Sequence, residues 1–503
     1  MMTLPRLLRI ASPSLFVAIW FSSTVMGQTE TATVSGLVTD RTAAAVSGAE
    51  VRLQSVERGT VTTTSTNDAG IYVFPSVYPG QYQISVQKQG FKQVDLLGLI
   101  VNVQDHIEQN VHLEIGSVAE SVTVNASDLH INTTDATVST VVDRQFAENL
   151  PMNGRSFQTL IELTPGVALT ASNGRDTGQF SVNGQRASSN YWTVDGVSAN
   201  VGIGSANSVA AGNGLGGAAA SFSVLGGTNS LVSVDALQEF RIQTSTYAPE
   251  FGRTPGAQIS ILTRSGTNQF HGTLFDYLRN DALDANNWFN GFCTPGPKCP
   301  LPKAKERQND FGGTFSGPVV RDRTFFFFSY EGLRLRLPQT SLTTVPCDST
   351  CAVSGNARAA AVPAMQPFFN AFPLPNGPDH GNGTADFNAS FSNPATLDAY
   401  SVRIDHRLSD KLSIFGRYNY SPSELIQRGN GFALSAVFSS RITTQTATAG
   451  ATWAISPAIV NDFRFNYSRT NNNSFSRSDS FGGAVPLASL LALTRVRPGP
   501  ARH

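Results

Sequence analysis

From His271 onward the sequence alternates apolar and polar residues with a period of two, in runs near the roughly 9–11 residues that a tilted β-strand needs to cross a bilayer. In the clearest run Tyr400, Val402, Ile404, His406 and Leu408 stand against Ser401, Arg403, Asp405 and Arg407, so one face is mostly apolar and the other charged. The turn Ser409 to Lys411 leads to Leu412, Ile414, Gly416, Tyr418 and Tyr420 against Ser413, Arg417 and Asn419. Phe463, Phe465 and Tyr467 against Asp462, Arg464 and Asn466 repeat the pattern, as do Leu333, Leu335 and Leu337 against Arg334 and Arg336. A soluble sandwich produces the same alternation, with one face buried and the other wetted. Aromatic residues at the strand ends, Phe325 to Phe328, Tyr330, Tyr418, Tyr420 and Tyr467, favour a membrane barrel with interfacial girdles. Short turns on one side and long polar segments on the other, 289–308 and 338–397, point the same way, with the long segments extracellular. Counted by alternation, about seven strands are present.

The bulk composition narrows the remaining choices. Of 503 residues only 14% are charged, with 36 basic against 36 acidic, and no basic block is long enough to track a phosphate backbone. Nucleic acid is therefore not an expected partner. Arg6 and Arg9 precede the apolar stretch Leu15 to Phe21, and Val25-Met26-Gly27 offers a small residue at the cut, which predicts an export signal over 1–27. An anchor helix is the alternative, but the stretch is shorter than the roughly 20 residues that span a bilayer. No apolar run of helical spanning length recurs, so membrane insertion would fall to β-strands, which cross lipid only as a closed barrel. The cysteines form two local pairs, Cys293 with Cys299 and Cys347 with Cys351. In an exported chain this spacing predicts small disulfide loops; a metal site would need neighbouring ligands that neither pair has. No cofactor is expected.

Residues 28–115 predict a small β-sandwich, with strands at 32–38, 49–53, 71–74, 81–86 and 110–114 separated by turns. Ser35-Gly36-Leu37-Val38-Thr39-Asp40, Gly48-Ala49-Glu50-Val51, Thr66-Asn67-Asp68-Ala69-Gly70-Ile71-Tyr72 and Tyr78-Pro79-Gly80-Gln81-Tyr82 resemble the carboxypeptidase regulatory-like domain, which has a carbohydrate-binding-like fold. The resemblance covers most of the module. A zinc peptidase needs imidazoles and carboxylates converging on one metal, and His106, His112 and His130 carry no such motif, so no enzyme is expected. The fold resemblance permits sugar binding without establishing it.

Residues 116–267 change to a mixed α/β texture. A turn, a short helix from Arg155 to Leu163 and a Pro-Gly stop are expected, followed by strands at 180–186 and 191–197. Asn153-Gly154-Arg155, Val194-Asp195-Gly196-Val197, Glu250-Phe251-Gly252-Arg253 and Thr263-Arg264-Ser265-Gly266-Thr267-Asn268, in this order, resemble the plug domain of TonB-dependent receptors in its Oar-like form. Arg155, Asp195, Arg253 and Arg264 are read as internal ion pairs holding the plug, with direct substrate contact as the other reading. Just before the plug, Glu120-Ser121-Val122-Thr123-Val124-Asn125-Ala126 resembles the segment by which such receptors engage a TonB-type energy-coupling protein through strand addition; a strand merely joining sandwich to plug would look the same.

Phe270 to Asp284, Phe311 to Val319 and Thr324 to Gly332 resemble the opening strands of the Oar-like barrel, over 268–493. Plugged lumens belong to barrels of about 22 strands, and 494–503 abandon the alternation, so a truncated chain is expected. The fold class expected is mainly β: an N-terminal β-sandwich, an α/β plug and an incomplete transmembrane antiparallel β-barrel. The resemblance implies an outer-membrane receptor and transporter whose partners are membrane lipid, a TonB-type coupling protein and an extracellular ligand, a carbohydrate or a peptide. A structural or adhesive surface protein built from the same β-modules is the competing expectation.

Overall fold

The structure, a computed structural model, describes residues 30–116, 121–125, 137–144, 146, 158–161, 163–169, 180–186, 189–199, 232–247, 255–291, 300–347, 365–429, 433–456 and 459–486. The expected export signal lies outside them. Among the described residues no helix is long and apolar enough to cross a membrane.

The first domain is a sandwich. Strand β1 (Ala32–Thr39) pairs antiparallel with β4 (Ile71–Val77) and parallel with β7 (His106–Glu108) and β8 (Val111–His112). The facing sheet runs β3 (Val61–Ser65), β2 (Glu50–Ser55), β5 (Gly80–Gln87), β6 (Gln93–Val101), β9 (Ser121–Asn125). Alternation along each strand sends Val34, Val51, Leu53, Tyr72, Phe74, Ile84, Val86, Val94 and Leu96 into one core. His112 shares a 2.6 Å hydrogen bond with the Thr39 hydroxyl, a cross-strand contact within this sheet.

The second domain centres on a mixed sheet of order β10 (Val138–Asp143), β15 (Leu237–Ser245), β16 (Gln258–Thr263), β13 (Tyr191–Val194), β14 (Val197–Ser198). A small hairpin, β11 (Val167–Leu169) with β12 (Phe180–Val182), lies beside it. All six residues of β16 are buried, so both faces of this strand are covered. Of the helix expected over 155–163 the described part is Gln158–Ile161, after which the amides of Leu163 and Thr164 close back onto Leu160 and Ile161 in tight turns.

The third element is a seven-stranded antiparallel meander, β17 (His271–Asn280), β18 (Arg307–Val320), β19 (Thr324–Pro346), β20 (Thr384–Ser409), β21 (Leu412–Arg428), β22 (Ala436–Ser456) and β23 (Ile459–Ser478). The seven strands agree with the alternation; their lengths do not. β19 and β20 run 23 and 26 residues, so 338–346 and 384–397, expected as loop, continue the wall instead. The Phe325 to Phe328 cluster also divides. Phe326 and Phe328 face outward, whereas Phe325 and Phe327 point inward and are buried, Phe327 joining the core of the second domain.

On the outward face Phe311, Tyr330, Tyr400 and Tyr420 form a continuous aromatic row across four strands, with centroid separations of 6.0, 4.8 and 6.3 Å. Ion pairs Arg334–Asp398 and Arg441–Glu424 sit beyond this row on the loop side. On its other side the outward face is apolar down to the short turns, through Phe315, Ile404, Ile414, Phe463 and Trp453, all at least 37% exposed. Charge, aromatic ring and apolar band in that order are the profile of a wall crossing a lipid interface. Ile404→Arg is expected to cost about 2–4 kcal/mol, the penalty for arginine facing lipid near mid-bilayer, in urea titration of the protein in vesicles. An equal loss for Thr443→Arg, beyond the aromatic row, would remove the band from lipid.

Candidate functional site

A hairpin tip of the second domain meets the inward face of the wall. Parallel pairing of β13 with β16 sets Val194 beside Ile261, and the chain reverses at Asp195 and Gly196, with φ of 51° and 79°. Two consecutive positive φ angles make the tight turn whose twist suits a two-residue hairpin, and Asp-Gly is the pair that tolerates it. The turn aims the Asp195 carboxylate at the sheet. The Thr263 amide donates to it at 3.0 Å and the Thr263 hydroxyl at 2.9 Å.

Arg403, from the inward face of β20, completes the junction. Its Nη1 donates to Asp195 Oδ1 at 2.8 Å and to Thr263 Oγ1 at 3.0 Å. Nε and Nη2 donate to the Asp405 carboxylate at 3.0 and 2.9 Å, and Nη2 also to the Tyr78 hydroxyl. The guanidinium lies 4.4 Å from the Phe415 ring centroid, and the Ser265 hydroxyl donates to Asp405 at 2.6 Å. Arg417 Nη1 is 3.6 Å from the other Asp195 oxygen. The planar fork of arginine suits such simultaneous engagement, which lysine could not reproduce. One cation thus ties together Tyr78 of the sandwich, Asp195 of the second domain and Asp405 of the wall. The Arg403 and Asp195 side chains are each 1% exposed.

Gly266 shows how closely the second domain runs against the strands: a Cβ there would lie 2.4 Å from the Phe326 carbonyl oxygen, so only glycine fits.

The sandwich docks at the short-turn end of the wall. Asn268 donates to the Glu57 and Arg58 carbonyls at 3.1 and 2.6 Å, and Arg407 to the Val61 carbonyl. Against the second domain, Gln104 donates to Ser260 at 3.1 Å, Asp105 pairs with Arg241, and the Val103 amide donates to Glu239. Glu30 accepts from the Thr193 hydroxyl and the Gly196 amide, both at 3.1 Å. Burial, aided by the nearby Asp195 carboxylate, pushes the Glu30 carboxyl up to about 8 against the lowering effect of those hydrogen bonds. Burial likewise pushes Glu239 up to about 8, although the Val103 amide draws it down. The docked interface therefore favours two protonated carboxyls at neutral pH.

Of the residues singled out in the sequence, Asp195 and Gly196 lie at this junction. The partners of Asp195 are arginines of the wall, where the sequence suggested pairs within the plug. Arg264 donates to the Asp235 carbonyl at 3.0 Å, with its guanidinium 5.4 Å from the Phe327 ring centroid. Ser121 to Asn125 form β9, paired with β6 of the sandwich; Glu120 and Ala126 lie outside the described residues, as do Asn153, Gly154, Arg155, Gly252 and Arg253. Cys347 is disulfide-bonded, while Cys293, Cys299 and Cys351 lie outside the description. Sequence reasoning missed the roles of Glu30, Tyr78, Glu239, Arg403 and Asp405. The available signal was the charged inward face of β20, unusual for a strand burying that face.

Comparisons with known proteins agree with this architecture. Residues 262–490 match the family model of an outer membrane beta barrel domain, and residues 33–114 that of the carboxypeptidase regulatory-like domain. The chain thus carries an outer-membrane β-barrel domain behind a regulatory-like sandwich, which indicates the outer membrane. It is homologous to the TonB-dependent transporter Oar of Myxococcus xanthus, 27% identical over 276 residues; the match covers 53% of this chain and 23% of that protein. Among solved structures, the outer membrane transporter YddB from Escherichia coli is similar at a TM-score of 0.45 and 13% identity, over 68% of this chain and 40% of that one. A mutant ferric enterobactin receptor from Pseudomonas aeruginosa, in complex with enterobactin, is similar at a TM-score of 0.41 and 14% identity, over 66% and 41% respectively.

Proposed function

We propose that the protein is an energised outer-membrane transporter, in which residues 116–267 plug the lumen of a barrel to which residues 268–493 contribute strands, and residues 28–115 form a periplasmic sandwich. A TonB-type protein would engage Glu120 to Ala126 and pull the plug, admitting or releasing an extracellular ligand such as a carbohydrate or peptide. The observation that carries this reading is the junction on Arg403. A domain fixed by a buried ion pair to the inner face of a membrane wall is seated at a defined point, on groups whose separation would let it move as a unit. The relative Oar is described as a TonB-dependent transporter, which supports this reading.

The test is deletion of 120–126 in the protein in its own outer membrane. Binding of the periplasmic domain of the host's TonB-type protein should fall at least tenfold, while surface display stays unchanged. Undiminished binding would assign those residues to a connecting strand.

A further inference from the structure

We propose that the seam between the sandwich and the short-turn end of the wall is a phosphate site, and that its occupant is the head group of an anionic phospholipid from the leaflet at that end. The inference is independent of energised transport and rests only on the wall standing in a membrane.

A cavity of about 190 Å³ lies along this seam. That volume accommodates a head group but falls short of the roughly 300 Å³ at which pockets for drug-sized ligands begin. Five cationic side chains line it, Arg58 from the sandwich and Arg323, Arg407, Lys411 and Arg464 from the wall, against the carboxylates of Asp405 and Asp410. Both carboxylates are already engaged, Asp405 by Arg403 at 2.9 Å and Asp410 by Arg407 at 3.1 Å. The lining therefore carries a positive surplus.

These cations are held in place without being neutralised. The Arg58 guanidinium lies 4.4 Å from the Tyr78 ring centroid, and Arg323 donates through Nε to the Arg407 carbonyl at 3.3 Å. Among the described residues Arg58, Arg323 and Lys411 make no ion pair. The Nε of Arg464 is buried with no hydrogen-bond partner, a donor that a ligand oxygen would satisfy. Guanidinium forks match the oxygens of a phosphate, and the lysine ammonium adds a point charge. Thr60 and Thr62 bring hydroxyls from the sandwich side.

The surroundings favour a lipid over a free anion. Leu412 and Ile414 line the same cavity, and Ile414 belongs to the outward apolar band. The cations thus adjoin the surface on which acyl chains lie, as an anionic head group adjoins its own tails. Because sandwich and wall each supply cations, an occupant bridges the two. Its binding therefore strengthens their docking by linkage.

The probe is phosphatidylglycerol in mixed micelles, added to the detergent-solubilised full-length protein, with inorganic phosphate as the second arm and phosphatidylcholine as the blank. Phosphatidylglycerol should slow hydrogen exchange across 58–62 and 409–412. Lys411→Gln with Arg323→Gln, at two exposed positions, should weaken its binding at least tenfold, and Arg58→Gln alone about fivefold. The charge-conserving pair Lys411→Arg with Arg323→Lys should bind as the wild type does, as should Arg336→Gln with Arg469→Gln, which removes equal charge elsewhere on the wall. An equal loss in that last pair would overturn the site in favour of unspecific surface charge. Inorganic phosphate binding as tightly as the lipid, with the same dependence on Lys411 and Arg323, would overturn the lipid as occupant and leave a site for the free anion. No binding of either probe, or binding indifferent to these substitutions, would overturn both.

Discussion

Arg403→Met should loosen the second domain from the wall by about 3–5 kcal/mol, the usual consequence of removing one partner from a buried ion pair. The substitution leaves the carboxylates of Asp195 and Asp405, formerly bridged by one guanidinium, to face each other without it. It also removes the hydrogen bond to Tyr78 and the stacking on Phe415. Methionine fills much of the volume, so lost packing contributes little. The result to look for is faster hydrogen exchange at Thr193, Val194 and Thr263. Adding Asp405→Asn should recover part of the loss, because the buried carboxylate that paired with Arg403 is then neutral, whereas Asp195 keeps Arg417 beside it. Unchanged exchange in Arg403→Met would mean that the junction does not hold the second domain.

The second large effect is a pH dependence of sandwich docking. Glu30 and Glu239 are pushed up to about 8 when docked, from an ordinary 4.5. Below about 4.5 both are protonated in either state, and docking has its full strength. As pH rises from 4.5 toward 8 the undocked carboxyls ionise while the docked ones resist, so docking weakens by up to ~1.4 kcal/mol per pH unit for each group. Above about 8 the loss levels off. Spin labels at Lys88 and Asp410, on the sandwich and on a short turn of the wall, should report growing separation as pH climbs through this window. Glu30→Gln with Glu239→Gln should flatten the profile and keep the sandwich docked at pH 8. A wild-type profile that is flat, or that loosens on acidification, would refute it.

The sequence made the wall legible because period-two alternation is a local signal: Tyr400, Val402 and Ile404 face outward and Ser401 and Arg403 inward as written. Strand length was not legible. Beyond Leu337 on β19 and ahead of Tyr400 on β20 the strict alternation that an apolar surround imposes is lost, so 338–346 and 384–397 look like loop in a linear reading. The junction was half legible. The Asp-Gly turn could be read from two residues, but the partners of Asp195 lie some two hundred positions away, and nothing local distinguishes Arg403 from other inward arginines such as Arg464, which pairs with Asp462 on its own strand. Glu30 and Glu239 were illegible for a related reason: burial of a carboxyl depends on docking between domains, which leaves no periodic trace.

The aromatic row also acts as a height mark. From the pairing of Tyr330 with Tyr400, β19 and β20 stay in register up to Pro346 with Thr384, which at ~3.4 Å per residue and a tilt of roughly 40° lifts the wall about 40 Å clear of the lipid. The wall is thus a tall screen on this side, and Phe387, Phe391 and Phe481, packed together near its upper end, stiffen the rim. Anything approaching this side of the membrane meets that raised edge well before it meets the lipid.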